Sequence, residues 1–316
     1  SPIDTALNRA MNYLILTPDG VGSTILQRLI TMTLYIENHN VQNTHELTNG
    51  IELDNGIAVK NFDLGYSQSL GEIANILHDS QAQTTLVSRL AKYHMDSRED
   101  PANDRQNFYK SLNGQFEKII MCVRENIFEY AMSWSIRKQS GVLNVYDEED
   151  RDKVSQVSKV DENYFIQKCQ QYVKYTEWVE NNFPNIETVS YENMIKNSDA
   201  VMQKLSGHQD TFTNKIGLSL SSALSNEYNF VKNKSNSNLS NDEMKALVKY
   251  RQVCNEMLDK KIIIGAPLKN TTLTDKKNQI KNFNVCLDKF YTFAKNHNWI
   301  DQSKATYDFW NEEHIC

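Results

Sequence analysis

The stretch YLILTPDGVGSTILQRLI, Tyr13 to Ile30, reads as a strand, a glycine-bearing turn, a Ser-Thr pair and an amphipathic helix. Tyr13–Leu16 is a short, wholly apolar run, the pattern of a strand covered on both faces. Ile25, Leu26, Leu29, Ile30 and Thr33 then recur at helical spacing, predicting a helix over about Ser23–Glu37. Between the two, TPDGVGST places two glycines and two hydroxyl side chains directly before the helix. Glycines let the backbone curl so that successive N–H groups face one point, and a helix N-terminus adds partial positive charge. In physical terms this is a phosphate or sulfate cradle; it is equally the form of a tight turn with a serine cap. A nucleoside-triphosphatase loop is excluded, because that loop needs Lys directly after its last Gly and Ser23 stands there.

Working outward, short β-rich runs alternate with longer helical patterns. That alternation predicts an α/β fold, three-layered, with a mainly parallel central sheet. Further strands are expected at Thr85–Leu90, Lys118–Val123 and Glu187–Val189. Helices are expected after Asn126, which with Glu129 has the form of a capping box, and over Glu162–Asn182, ending before Pro184. More follow near Asn241–Lys261, Asp275–Asn296 and Ser303–Glu313, broken by GAPLKN. The chain divides accordingly into an α/β core over 1–206, a Ser/Asn-rich loop region over 207–240 and a helical C-terminal region over 241–316 that packs on the core.

Composition removes several classes. The 316 residues suffice for a sizeable core, and a net charge of −6 leaves no electrostatic footprint for nucleic acid. No apolar run approaches the roughly 18 residues of a membrane-spanning helix. The opening SPIDTALNRAMN has no apolar core of signal-peptide type, and its start without Met fits a processed end. Five cysteines, scattered without CxxC spacing, fit reduced thiols in a cytoplasmic compartment and give no zinc pattern. No metal site is expected. The mixed charge run DEEDRDK, Asp147–Lys153, reads as a solvated loop.

A second anion signal lies in CVRENIFEYAMSWSIRKQSGV, Cys122–Val142. Arg124 ends a buried strand, where open α/β sheets bind ligands, and Ser133 follows two turns into the next helix. The planar fork of an Arg suits a phosphate, although a lone Arg there more often pairs with a carboxylate.

Together, the two segments resemble the sulfotransferases that use 3′-phosphoadenosine 5′-phosphosulfate (PAPS). In that family a loop of the type P-x-K/R-[ST]-G-[ST]-[ST] holds the 5′-phosphosulfate, and an Arg and a Ser after a later strand hold the 3′-phosphate. Gly22-Ser23-Thr24 matches the loop's end; Arg124 and Ser133 match the second motif, spaced one residue wider than in most members. That spacing, followed by Gln139-Ser140-Gly141-Val142, is similar to the bacterial trehalose sulfotransferase branch. VSYENM (Val189–Met194) resembles the family's Tyr-Glu-Asp stretch, and VSRLAKYH (Val87–His94) the branch's Gly-Lys-Leu strand, with Arg89 at the basic position. The resemblance covers about Tyr13–Leu205. It implies PAPS as co-substrate, no metal, and a hydroxyl acceptor such as a carbohydrate or other small molecule.

The resemblance also exposes a gap. Gly20 stands where the loop normally carries a Lys or Arg touching the leaving oxygen, where charge develops during transfer. Gly20, Gly22, Ser23 and Thr24 would then bind the donor, with the catalytic cation relocated to Arg89; Arg28 and Lys92 are the other candidates. In the branch a Glu after the first helix takes the acceptor's proton. Here that segment is IENHNVQNTHELTNG, and Glu46 is the expected base, ahead of Glu37, His39 and His45. His78 and His94 flank the next strand, as crevice residues or as surface or satisfied core histidines. The alternative function is a nucleotide-binding or structural protein that retains the fold without turnover.

Overall fold

The computed structural model describes residues 11–80, 84–145, 147–206, 215–217, 240–263 and 276–297. In chain order its elements begin with β1 (Tyr13–Thr17), α1 (Ser23–Ile36), β2 (Val41–Glu46), β3 (Ile51–Asp54), β4 (Ile57–Lys60), α2 (Leu70–Asp79) and β5 (Thr85–Ala91). Next come α3 (Lys92–Asp96), α4 (Ala102–Gln115), β6 (Lys118–Val123), α5 (Ile127–Ser140), α6 (Glu148–Ser155) and α7 (Glu162–Asn182). The last are β7 (Glu187–Ser190), α8 (Tyr191–Lys196), α9 (Ser198–Ser206), α10 (Asn241–Asp259), α11 (Lys276–Gln279) and α12 (Phe283–Asn296). The fold is α/β, with a five-stranded parallel sheet flanked by helices in the order β2-β5-β1-β6-β7, and β3 and β4 form a separate antiparallel hairpin.

The described residues fall into two compact units. One lies within Ser1–Val123 and Trp178–Leu268, the other within Arg124–Glu177 and Lys269–Cys316. The first unit holds the whole sheet. Every residue of β1 is buried, as its unbroken apolar run requires of a central strand. Leu26, Leu29 and Ile30 of α1 are buried as well, worth roughly 1.5–3 kcal/mol each in area removed from water. A polar clamp aligns the same helix: the buried Gln27 donates from Nε2 to the carbonyls of His45 (3.1 Å) and Val87 (3.0 Å), on β2 and β5. Around Phe128, the second unit builds an aromatic core whose ring centroids lie 5.3 Å from Phe165, 5.0 Å from Phe283 and 5.7 Å from Phe290.

The four strands expected from sequence are present, with ends within a residue of expectation. The sheet's fifth strand, β2, goes beyond that expectation, since VQNTHE lacks apolar alternation. It is an edge strand whose polar side chains are mostly buried by neighbouring elements. The hairpin is a further addition, although Asn55-Gly56 between β3 and β4 is a two-residue turn signal. Both turn residues take left-handed φ, 52° at Asn55 and 81° at Gly56.

DEEDRDK is not a loop. Asp147 caps α6 by accepting from the Asp150 N–H at 2.9 Å, three acidic residues fill its first turn and Lys153 its last, matching the helix dipole. The single helix expected over 275–296 is two. Asn282 interrupts it because its side chain is spent on Val160. It donates to the Val160 carbonyl at 2.9 Å and accepts from the Val160 N–H at 3.2 Å. Helix α10 falls in the first unit, α11 and α12 in the second. GAPLKN, the helix expected over 303–313 and most of 207–240 lie outside the described residues.

Candidate functional site

The loop after β1 curls as its glycines suggest. Asp19, Gly20 and Gly22 all take left-handed φ, at 68°, 74° and 74°. Gly22 serves as the N-cap of α1 without a side-chain cap, and no acidic residue stands in the first turn, so the helix's N-terminal charge is not neutralised locally. A Cβ on Gly22 would lie 2.6 Å from the Tyr191 ring, so the close approach of α8 demands glycine here. The backbone also explains Gly20: a lysine at that position would sit in a conformation that side chains rarely adopt.

The sequence-predicted residues Ser23, Thr24, Glu46 and Arg89 meet in this first unit. Arg89 is in register with Glu46 on the neighbouring strand. One guanidinium nitrogen, Nη1, donates to the Ser23 hydroxyl at 3.3 Å and also to Thr24; Nη2 donates to Glu46 Oε1. His94, in α3, brings Nδ1 to 2.8 Å from Glu46 Oε2, close enough to act on its charge but without hydrogen-bond geometry. Burial alone would raise the Glu46 carboxyl, but the close approach of His94 and the Arg89 charge outweigh it and hold the group well below the usual carboxylate range. Burial pushes His45 down to about 3, with Arg89 adding to the effect, and its backbone takes a left-handed φ of 56°.

Lys60, Tyr66 and Tyr93 extend this cluster beyond the sequence expectation. Lys60 ends β4, is 8% exposed, and its Nζ makes no hydrogen bond among the described residues. Burial pushes its ammonium down to about 8, opposed by Glu46 and helped by Arg89. The Nε of Arg89 likewise has no hydrogen-bond partner among the described residues. Around His94 stand the exposed rings of Tyr66 and Tyr93, with centroids 5.9 and 5.4 Å from the imidazole. The legible signal for Lys60 is the Asn-Gly turn four residues earlier, which predicts a hairpin ending there.

Other candidates lie elsewhere. Lys92 points to Asp96 at 2.6 Å, an i,i+4 pair. Glu37 and His39 pair at 3.7 Å beyond the far end of α1. A helix of that length, at ~1.5 Å per residue, puts them about 20 Å from the loop.

In the second unit, Arg124 and Ser133 also come together, through Glu129. Asn126 caps α5 by accepting from the Glu129 N–H at 2.9 Å. The Glu129 carboxylate accepts from the Ser133 hydroxyl at 3.1 Å, lies 4.0 Å from Arg124 Nη2 and touches the Nζ of Lys276. Lys276 in turn donates to the Ser133 hydroxyl at 3.0 Å. Burial, then the charge of Arg124, pushes the Lys276 ammonium below its ordinary range, an effect its contact with Glu129 opposes. Lys276 lies over a hundred residues along the chain from this motif, and nothing in its sequence context announces it. No metal-holding group of His, Cys, Asp or Glu occurs among the described residues, and none of their helices is long and apolar enough to cross a membrane. The chain matches no protein-family model and no curated protein in sequence.

Proposed function

We propose that the protein transfers a sulfuryl group from PAPS to a hydroxyl of a carbohydrate or other small ring-bearing acceptor. One observation carries this: Arg89 joins the Ser23 and Thr24 hydroxyls at the uncapped start of α1 to the Glu46 carboxylate. Oxyanion donors, a cation and an acid–base group are thereby gathered at one point. The Nε of Arg89 and Nζ of Lys60, which have no hydrogen-bond partner among the described residues, are spare donors, as a bound oxyanion needs. When bound, PAPS supplies an activated sulfuryl group on a phosphate leaving group.

In this proposal Gly20 and Gly22 let the loop curl, while the Ser23 and Thr24 hydroxyls and first-turn N–H groups hold the phosphosulfate oxygens. Arg89 neutralises charge at the leaving oxygen. Glu46 takes the acceptor's proton, and its basicity rises as Arg89 turns from it to the donor. His94 orients the carboxylate. Tyr66 and Tyr93 offer flat faces beside it, which suit a sugar or phenol ring. Arg124 and Ser133 are the proposed phosphate ligands of the second unit, where Glu129 competes for Ser133 and Lys276.

The test is transfer of labelled sulfate from PAPS to a panel of sugars and phenols, followed by Glu46→Gln. A general base contributes about 10²–10⁴-fold; a loss of that size at unchanged PAPS affinity is expected, and near-full activity removes Glu46 from the role. A second reading, nucleotide binding without turnover, is favoured by the tight hold of Arg89 and His94 on Glu46, which makes a weak base. It becomes the better one if PAPS binds and no acceptor is sulfated.

A further inference from the structure

We propose that Lys60 is an oxyanion ligand of the first-unit site: its ammonium, presented by the β3–β4 hairpin, binds the transferable sulfuryl group beside Arg89. This rests on the sulfuryl-transfer reading and supplies a second cation for the loop that lacks its own.

The hairpin is built to hold Lys60 still. Its base is closed by the pairing of Ile51 with Lys60 and by a hydrogen bond from the Asn61 N–H to the Gly50 carbonyl at 3.0 Å. Gly50 takes a left-handed φ of 77°, and a Cβ there would lie 2.4 Å from the Asn61 carbonyl oxygen, so the crossing tolerates no side chain. Gln68 braces the same end by accepting from the Ile51 N–H at 2.8 Å. Gly50 follows Glu46 by four residues, so the strand that carries the acid leads directly into the turn that returns the lysine.

An ammonium has three donors, and burying it without acceptors is costly. Lys60 is nine-tenths buried and makes no hydrogen bond among the described residues; one contact is the Phe62 ring, 4.6 Å away and itself exposed. The Glu46 carboxylate does not hydrogen-bond it: Oε1 accepts from Arg89, and Oε2 lies 2.8 Å from His94 Nδ1. The charges of Glu46 and Arg89 both act on Lys60, and among the described residues Arg89 also keeps an Nε donor without a hydrogen-bond partner. A small oxyanion balances that charge and satisfies both orphaned groups. The charged and titratable groups that act on Lys60 or feel its charge are His45 and Glu46 on β2 and Arg89 on β5.

The experiment is calorimetric titration of the full chain with inorganic sulfate and with PAPS, for the wild type, Lys60→Met and Lys60→Arg, alongside urea unfolding. Lys60→Met is expected to be at least as stable as the wild type, because it removes a buried ammonium that makes no hydrogen bond among the described residues, yet to bind sulfate tenfold or more weakly. Wild-type affinity should fall as pH rises through about 8, while Lys60→Arg, which stays charged, should not show that fall. Equal sulfate affinity in wild type and Lys60→Met, or no sulfate binding to the wild type, overturns the proposal. If sulfate binding depends on Lys60 but PAPS binds no more tightly than sulfate, the oxyanion site stands and the sulfuryl-transfer reading fails.

Discussion

Glu46 and Arg89 face each other in register across β2 and β5, and their charged ends meet with only 9% and 7% of the side chains exposed. Removing one partner of such a pair strands the other charge, which typically costs about 3–5 kcal/mol. Arg89→Ala should therefore lose roughly that much stability in urea unfolding. The double variant Glu46→Gln/Arg89→Met should recover most of it. A loss below about 1 kcal/mol in Arg89→Ala would show that water reaches the pair.

Glycine substitutions should change sign with position. Gly22→Ala forces a Cβ against Tyr191 at a left-handed φ and should destabilise by about 1–3 kcal/mol. Gly114, in the last turns of α4, has nothing within 4 Å of an added Cβ and no positive φ. Gly114→Ala should stabilise by about 0.5–1 kcal/mol. Thermal melts of the two variants beside the wild type check both signs.

Acid should weaken the first unit in two stages. His45 is held neutral, its value lowered from 6.5 to about 3, so the unfolded chain binds a proton first and stability falls as pH drops below about 6.5. Glu46 is held ionised below its ordinary 4.5, so its contribution is present above that value and is lost as pH falls beneath it. Each group contributes a slope of at most about 1.4 kcal/mol per pH unit. His45→Asn, whose side chain tolerates the left-handed backbone, should flatten the stage between about pH 6.5 and 4.5 and leave the lower one. Urea unfolding across pH 3–7 reads both.

Arg124 and Ser133 define a nucleotide prediction. If they grip a phosphate, 3′-phosphoadenosine 5′-phosphate should bind much more tightly than AMP. Arg124→Ala should remove about 2–5 kcal/mol of that preference, since the Arg124 side chain is only 11% exposed. Equal affinity for the two nucleotides in calorimetry would sink the assignment.

How much of this is legible in the sequence depends on the range of the forces involved. β1, β5 and β6 announce themselves through apolar side chains, and α5 and α7 through capping and periodicity, because those preferences act over a few residues. The loop's shape is equally local: Gly20 and Gly22 take the left-handed backbone that glycine permits. Of the first-unit cluster, Glu46 and Arg89 are reached only through the resemblance to the sulfotransferases, whereas Ser23 and Thr24 can be read from their place between the glycines and the helix. Edge strand β2 cannot, since its polar residues are buried by partners distant in sequence. Nor can the helicity of Asp147–Lys153, where the cap outweighs the charge run's taste for solvent.

What the sequence determined by itself was therefore the α/β alternation, the curled loop and the hydroxyl pair Ser23-Thr24 at the start of α1. What only the tertiary structure decided was who touches whom. The pairing of Glu46 with Arg89 and His94, the approach of Tyr191 to Gly22, the arrival of Lys276 beside Ser133 and the burial of Lys60 all join residues far apart in the chain or turned inward by a hairpin. Such contacts are fixed by strand register and by the close packing of side chains, and neither is written in any short stretch of sequence.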